Sequence, residues 1–182
     1  VEGGVYVSTD RGETWASAMG EGIEFDVTNG QYHQVLTSDI DPLRVYALNS
    51  SLRRGHPEYV RPDHLTVFRS DDGGQRWVAT LEQRENRPRS DNTEPYWETY
   101  RTGVDAFGAV KDATLCRTDP DILIRTQGLA GYMTRDGGRT WRSIAGRPVE
   151  GGPAWGEDTV FANNGLGVTT TWNYYIDPFD AS

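Results

Sequence analysis

Residues 69–77 read Arg69-Ser70-Asp71-Asp72-Gly73-Gly74-Gln75-Arg76-Trp77. A hydroxyl, an Asp two positions later, a Gly two beyond it and a Trp three beyond that suit a tight turn between two strands. The Asp72 carboxylate can accept backbone N–H groups inside the turn, as Asx residues do. Gly74 supplies a positive φ that side-chain-bearing residues resist. The Ser70 hydroxyl ties the incoming strand to the turn, and Trp77 opens the outgoing strand with a large ring to bury against a neighbouring sheet.

The same stretch occurs twice more. Upstream stands Val7-Ser8-Thr9-Asp10-Arg11-Gly12-Glu13-Thr14-Trp15, and downstream Met133-Thr134-Arg135-Asp136-Gly137-Gly138-Arg139-Thr140-Trp141. The Asp-to-Asp intervals are 62 and 64 residues. A pattern recurring at near-constant spacing is an internal repeat, and it takes precedence over local propensity in reading the fold. Ser8, Asp10, Gly12 and Trp15, then Ser70, Asp72, Gly74 and Trp77, then Thr134, Asp136, Gly138 and Trp141 are therefore read as structural residues.

A second element shares the period. Ile40-Asp41-Pro42-Leu43-Arg44-Val45-Tyr46-Ala47 reads as strand, Pro turn, strand; Thr118-Asp119-Pro120-Asp121-Ile122-Leu123-Ile124 repeats it, and Ile176-Asp177-Pro178-Phe179-Asp180 begins it again. Proline presets the turn and is excluded from a central strand. Each full repeat then holds four strands. In the middle one they are expected near 34–39, 44–48, 65–70 and 77–81.

Composition agrees with an all-β chain. Of the 182 residues 21 are Gly, and six Trp and nine Tyr carry much of the apolar mass. Sustained helical periodicity is absent; the nearest candidate, 108–117, mixes polar with β-branched residues and breaks at Asp119-Pro120. The net charge of −9 repels phosphate backbones and argues against nucleic acid. No apolar run approaches the ~18 residues of a membrane helix. The lone Cys116 lies in the apolar run 113–116 and reads as a buried small residue. The chain begins on Val1 without a signal-peptide pattern, which reads as a processed chain or a piece of a longer one.

The repeated hydroxyl-x-Asp-x-Gly-x-x-Trp pattern resembles the Asp-box (bacterial neuraminidase) repeat, and the resemblance covers nearly the whole chain. It implies a β-propeller of four-stranded antiparallel blades. Here that means about three blades of a larger ring of about six to eight: the end of one blade plus its link over 1–33, a second over 34–105, a third over 106–170 and the start of a fourth over 171–182. The remaining blades would close the ring, since open sheet edges invite further pairing. Members of this group are mostly secreted, extracellular or periplasmic, which sets the expected localisation.

Strand parity then points to function. In an up-and-down blade the Asp-Pro turns and the Asp hairpins share one face, and the long insertions 49–64, 82–105 and 146–170 fall on the other. The first holds Arg53, Arg54, His56, Glu58, Tyr59, Arg61, Asp63 and His64. The second holds Arg84, Arg87, Arg89, Glu94, Tyr96, Trp97, Glu98, Tyr100 and Arg101, and the third Trp155, Glu157, Asp158, Phe161, Asn163 and Asn164. Long loops on a rigid scaffold carry function. Aromatic faces beside Arg and carboxylates suit sugar recognition by stacking and bidentate hydrogen bonding. Arg53, Arg54, Tyr59, Arg87, Tyr96, Trp97, Glu98, Arg101, Trp155 and Glu157 are the ligand-binding candidates, for a glycan or a protein partner. The spacing of His56 and His64 matches no metal site, so no metal or other cofactor is expected. Asn49-Ser50-Ser51 fits an N-glycosylation acceptor.

Asp-box propellers include sialidases and xyloglucanases, receptor ectodomains of the sortilin type, and accessory factors such as the photosystem II assembly factor. The Phe/Tyr-Arg-Ile-Pro motif of sialidases is absent here. The combination of Asp-Pro turn and Asp box is similar in texture to the xyloglucanase-like and sortilin-like groups. The xyloglucanase pattern carries a catalytic Asp in a Thr-Asp-x-Gly-Gly-x-Tyr context before the box. Val1 stands at that position before the first box and Gln127 before the third, and the next equivalent falls beyond Ser182. Glycoside hydrolysis ordinarily needs two carboxylates. Glu94 or Glu98 with Glu157 or Asp158 could supply a pair, without a motif behind them. The expectation is therefore a binding or scaffold module, with part of a secreted glycoside hydrolase as the alternative.

Overall fold

A computed structural model describes residues 4–23, 31–50, 65–84, 87–88, 110–127, 130–144, 146–148, 161–163 and 176. Every regular element among them is a strand. The first sheet is the hairpin β1 (Tyr6–Val7) and β2 (Ala16–Ser17). The second runs in sequence order through β3 (Gln31–Thr37), β4 (Val45–Ser50), β5 (Leu65–Ser70), β6 (Val78–Arg84) and β7 (Arg87–Pro88). The third holds β8 (Val110–Leu115), β9 (Leu123–Gln127), β10 (Ala130–Thr134) and β11 (Arg142–Ser143), also in sequence order. A separate hairpin pairs β12 (Gly146–Pro148) with β13 (Phe161–Asn163). All strand pairings are antiparallel.

The expected strands are present with shifted ends. The first strand of the middle sheet starts at Gln31 rather than near 34, with a bulge between Tyr32 and Gln34. β4 continues through Asn49–Ser50 and β6 through Arg84, so both intrude into stretches read as loop. The cause is pairing: Asn49 and Ser50 meet Thr66 and Leu65 across the ladder, which outweighs their turn-forming chemistry. A four-stranded middle sheet is also corrected to five by β7, and the link 146–170 gains the β12–β13 pair. Neither short strand carries a period that sequence could show. Asn49 is only 5% exposed inside β4, so it is no glycosylation acceptor in the folded chain.

The three Asp hairpins share one geometry. The hydroxyls of Ser8, Ser70 and Thr134 accept the N–H of Gly12, Gly74 and Gly138 at 2.7, 2.8 and 2.7 Å. The same hydroxyls donate to Asp10, Asp72 and Asp136 at 2.8, 2.9 and 2.9 Å. Each carboxylate in turn accepts the N–H of the residue just before the Trp: Thr14, Arg76 or Thr140. Two successive residues take positive φ in each turn. Gly73-Gly74 and Gly137-Gly138 do so freely, whereas the first turn holds Arg11 at φ 61° before Gly12 at 90°. A non-glycine residue there costs about 1–2 kcal/mol.

These turns dock the sheets on one another. The Trp77 indole N–H donates to Ala18 O at 2.9 Å, and that of Trp141 to Thr80 O at 3.0 Å. Each acceptor belongs to the sheet that precedes in sequence. Trp77 packs with Val5, Ala18, Ile23 and Ala47 between the first and second sheets. Trp141 packs with Tyr46, Leu48, Val67, Ala113, Leu123 and Tyr132 between the second and third. Trp77 and Trp141 are 4% and 1% exposed, and Trp15 is 64% exposed. Cys116 is buried, as its apolar run implies.

Hydrogen bonds from the Thr14 hydroxyl, the Thr14 N–H and Ser8 hold the Asp10 carboxyl down at about 2. The Arg76 N–H, with Ser70 and Gln75, lowers that of Asp72. At Asp136 burial pushes upward, but bonds from Thr140 and Thr134 outweigh it and the net direction is down. A carboxyl depressed in the folded state contributes stability above its unfolded pKa and loses it as pH falls through the folded one.

Two outcomes follow for the folded chain. Trp141→Ala or Trp77→Ala should lower stability by about 3–5 kcal/mol, whereas Trp15→Ala should change it by less than about 1 kcal/mol; urea unfolding followed by circular dichroism separates the two classes. The urea midpoint should fall as pH drops from about 4 to about 2, and Asp10→Asn, which keeps an accepting oxygen but no charge, should flatten that fall.

Candidate functional site

The short turns cluster at one end of the sheets. Gly73 N–H donates to Leu43 O and Gly137 N–H to Asp121 O, both at 2.9 Å, so the second and third Asp hairpins each rest on the Asp-Pro turn of their own sheet. Arg44 crosses to the next sheet: its guanidinium pairs with Asp71 and with Asp121. Arg69 follows the same path, donating to Asp71 at 2.9 Å and to Gly137 O at 2.6 Å. The Tyr46 hydroxyl donates to Pro120 O at 2.7 Å. Burial disfavours the charged Arg44, yet hydrogen bonds to Asp121 and Tyr46 outweigh it and hold the guanidinium charged. Burial also pushes the Tyr46 phenol up. Arg44 Nη1, both Nη atoms of Arg69 and the Tyr46 hydroxyl all donate within the protein. This end joins the second and third sheets.

At the opposite end lie strand ends that flank the long insertions. Ser50 and Leu65 are register partners at the end of their strands away from the Asp72 turn. Val110 pairs with Gln127, which sets the entry of β8 at that same end of the third sheet. Here β3 and β8, the first strands of their sheets, meet through one side chain. The Gln34 amide accepts the Ala113 N–H at 2.8 Å and donates to Ala113 O at 2.9 Å and to Asp112 Oδ1 at 2.7 Å. It therefore supplies the free edge of β8 with the pairing that another strand would give. Asp112 is the carboxylate at this end among residues whose side chains are described. Its Oδ1 also accepts the Ala113 N–H at 2.9 Å, and its backbone N–H is bonded to the Thr126 hydroxyl at 3.1 Å.

Behind this seam lies a buried cation. Arg125 is the register partner of Ala113 on one side and Tyr132 on the other, is 2% exposed, and sets its guanidinium 4.9 Å from the Tyr132 ring centroid. Such a contact in a desolvated setting contributes about 2 kcal/mol. Gln34, Asp112 and Arg125 belong to no motif in the sequence. Gln34 and Asp112 look like ordinary polar positions of alternating strands, and only the meeting of β3 with β8 shows their role.

The ligand candidates Arg53, Arg54, Tyr59, Tyr96, Trp97, Glu98, Arg101, Trp155 and Glu157 lie outside the described residues. Arg87 falls in β7, opposite Arg84. The structure thus brings the strand ends that bear the loops to a common end, and Gln127 ends β9 there. Among the described residues no group of three His, Cys, Asp or Glu side chains could hold a metal ion, and no helix is long and apolar enough to cross a membrane.

No family model matches the chain. Over 189 aligned residues it is 25% identical to a probable oligoxyloglucan-reducing end-specific xyloglucanase of Neosartorya fischeri, an alignment that covers 94% of this chain and 22% of that protein. The chain thus spans about a fifth of the length of that relative, and what the two share is a likeness over nearly all of the shorter one.

Proposed function

We propose that this chain is a segment of an Asp-box β-propeller that binds a glycan on the end of its sheets opposite the Asp hairpins. One observation carries the reading. The Asp72 and Asp136 turns are short and seat their tryptophans on the preceding sheet, while the register of β4 with β5 and of β8 with β9 sets Ser50, Leu65, Val110 and Gln127 at the other end, which supports placing the long insertions there. In this reading 1–33, 34–105, 106–170 and 171–182 are successive blades with their links, and further sheets of the same kind complete the ring. The aromatic and charged residues of the insertions supply the contacts: Trp97 and Trp155 as stacking faces, Arg53, Arg54 and Arg101 as donors to sugar hydroxyls. The likeness to a probable oligoxyloglucan-reducing end-specific xyloglucanase supports xyloglucan oligosaccharides as the class of glycan. It also supports the localisation expected of such a binder, outside the cell or in the periplasm.

That likeness favours a second reading, in which the chain is part of a glycoside hydrolase. Two carboxylates would then face each other across the sugar, about 5–10 Å apart. Gln127 stands where the xyloglucanase pattern carries its Asp, and an amide cannot act as general acid or base. Asp112 lies on the neighbouring strand, paired through Thr126 beside that position. The hydrolytic carboxylates would consequently come largely from outside this segment, and the segment's own part would be to bind.

The test is titration of xyloglucan oligosaccharides into the chain by calorimetry, alongside a reducing-end assay. Binding without release of reducing ends is the expected outcome, with affinity reduced about tenfold or more in Trp97→Ala or Trp155→Ala. Release of reducing ends that is abolished in Asp112→Asn would favour the hydrolase reading. Failure of the folded chain to bind any soluble glucan would remove both.

A further inference from the structure

Two of the three Asp hairpins place Gly directly after Asp: Asp72-Gly73 and Asp136-Gly137. In an open chain that dipeptide is chemically labile. The glycine nitrogen attacks the aspartyl Cγ, a five-membered imide forms and one water leaves. Water then re-enters at either carbonyl, which returns Asp or yields isoaspartate, with the backbone running through the former side chain. No oxidant or other reagent is needed. Glycine promotes the step because no side chain crowds its nitrogen and its backbone reaches conformations that other residues resist. The first hairpin has Asp10-Arg11 instead, where the arginine side chain hinders the approach.

The folded turns keep both reacting groups occupied. Gly73 N–H donates to Leu43 O and Gly137 N–H to Asp121 O, each at 2.9 Å, so the attacking nitrogens are engaged. The carboxylates are bonded forward along the chain. Asp72 Oδ1 accepts the N–H groups of Gln75 and Arg76 and the Ser70 hydroxyl, all at 2.9 Å. Asp136 accepts the Thr140 N–H at 2.8 Å, the Thr140 hydroxyl at 2.7 Å and the Thr134 hydroxyl at 2.9 Å. Both carboxyls lie below their usual range, so the protonated form from which water leaves is scarce. The liability is tied to the turn itself. Gly73 and Gly137 hold φ of 73° and 68°, and a Cβ on Gly137 would come within 2.7 Å of Arg69 Nη1 and of Asp121 Oδ1. Arg11, at φ 61°, shows the alternative and its strain.

We propose that Asp72 and Asp136 are latent isoaspartate sites, sealed by the folded turn and opened when that turn is released. The rate at each site then follows the population of its open turn. The outcome is directional. An isoaspartyl link adds a methylene to the backbone and leaves the α-carboxylate free in place of the side-chain one. The bonds from Ser70 and Arg76 to Asp72 do not reform as they stand, and Trp77 loses the position from which it reaches Ala18 O. Asp136 stands in the same relation to Trp141 and Thr80 O. A transient opening thus becomes a permanent lesion in the joints that these tryptophans make, and the working lifetime of the chain is set by how often the turns open.

Incubation of the whole chain near neutral pH, folded in buffer and unfolded in urea, tests this when followed by peptide mapping that separates isoaspartyl from aspartyl peptides. Isoaspartate at positions 72 and 136 should accumulate at least about tenfold more slowly in the folded chain. Position 10 should gain little in either state. Ser70→Ala removes the hydroxyl that bonds the Gly74 N–H and Asp72. It should raise the folded-state rate about threefold to tenfold at Asp72 alone, and Thr134→Val should do the same at Asp136 alone. Circular dichroism shows whether each variant folds, and the comparison of folded with unfolded chain needs no variant. Equal rates in the folded and unfolded chain would overturn the proposal. So would an unfolded chain that forms no isoaspartate at these sites, or folded variants that raise both sites alike or neither.

Discussion

The indole N–H of a hairpin tryptophan, bonded to a backbone carbonyl of the preceding sheet, is the interaction on which the architecture rests. A four-residue turn positions it. The Asp carboxylate and the hydroxyl consume the N–H groups of the turn, two residues of positive φ reverse the chain, and the Trp emerges at a fixed angle. An antiparallel sheet alone leaves its faces and edges exposed. The Trp converts the face of one sheet into the floor of the next, and the buried clusters around Trp77 and Trp141 are the result.

The turn end shows the electrostatic counterpart. Arg44 and Arg69 reach across to the next sheet, and their carboxylate and carbonyl partners come from short, rigid turns. The side chain of Arg44 is 15% exposed, against 52% and 41% for its partners Asp71 and Asp121, so solvent screens this network in part and its contribution is orientation as much as energy. At the other end Gln34 supplies β8 with edge pairing. The seam between the second and third sheets is therefore held by side chains that are complementary to backbone.

Much of the scaffold was legible in the sequence because its determinants are local. Ser70, Asp72 and Gly74 bond within one turn, so their spacing alone reports the geometry, and the Asp-Pro turns mark the alternate reversals. Strand ends were less legible. Asn49, Ser50, Glu82 and Gln83 look like loop, and they lie in strands because partners about 15–18 residues away in the chain pair with them. Gln34, Asp112 and Arg125 gave no signal, since nothing in an alternating strand says which polar residue will face another sheet.

By itself the sequence determined the turns, the period and the all-β character, because each is set by residues within hydrogen-bonding reach along the chain. Tertiary structure alone decided which tryptophans are buried. Trp15, Trp77 and Trp141 occupy the same place in the same motif, yet Trp15 is 64% exposed and the others are 4% and 1%. Burial of a large ring depends on what another sheet brings to it, and that information lies outside the motif.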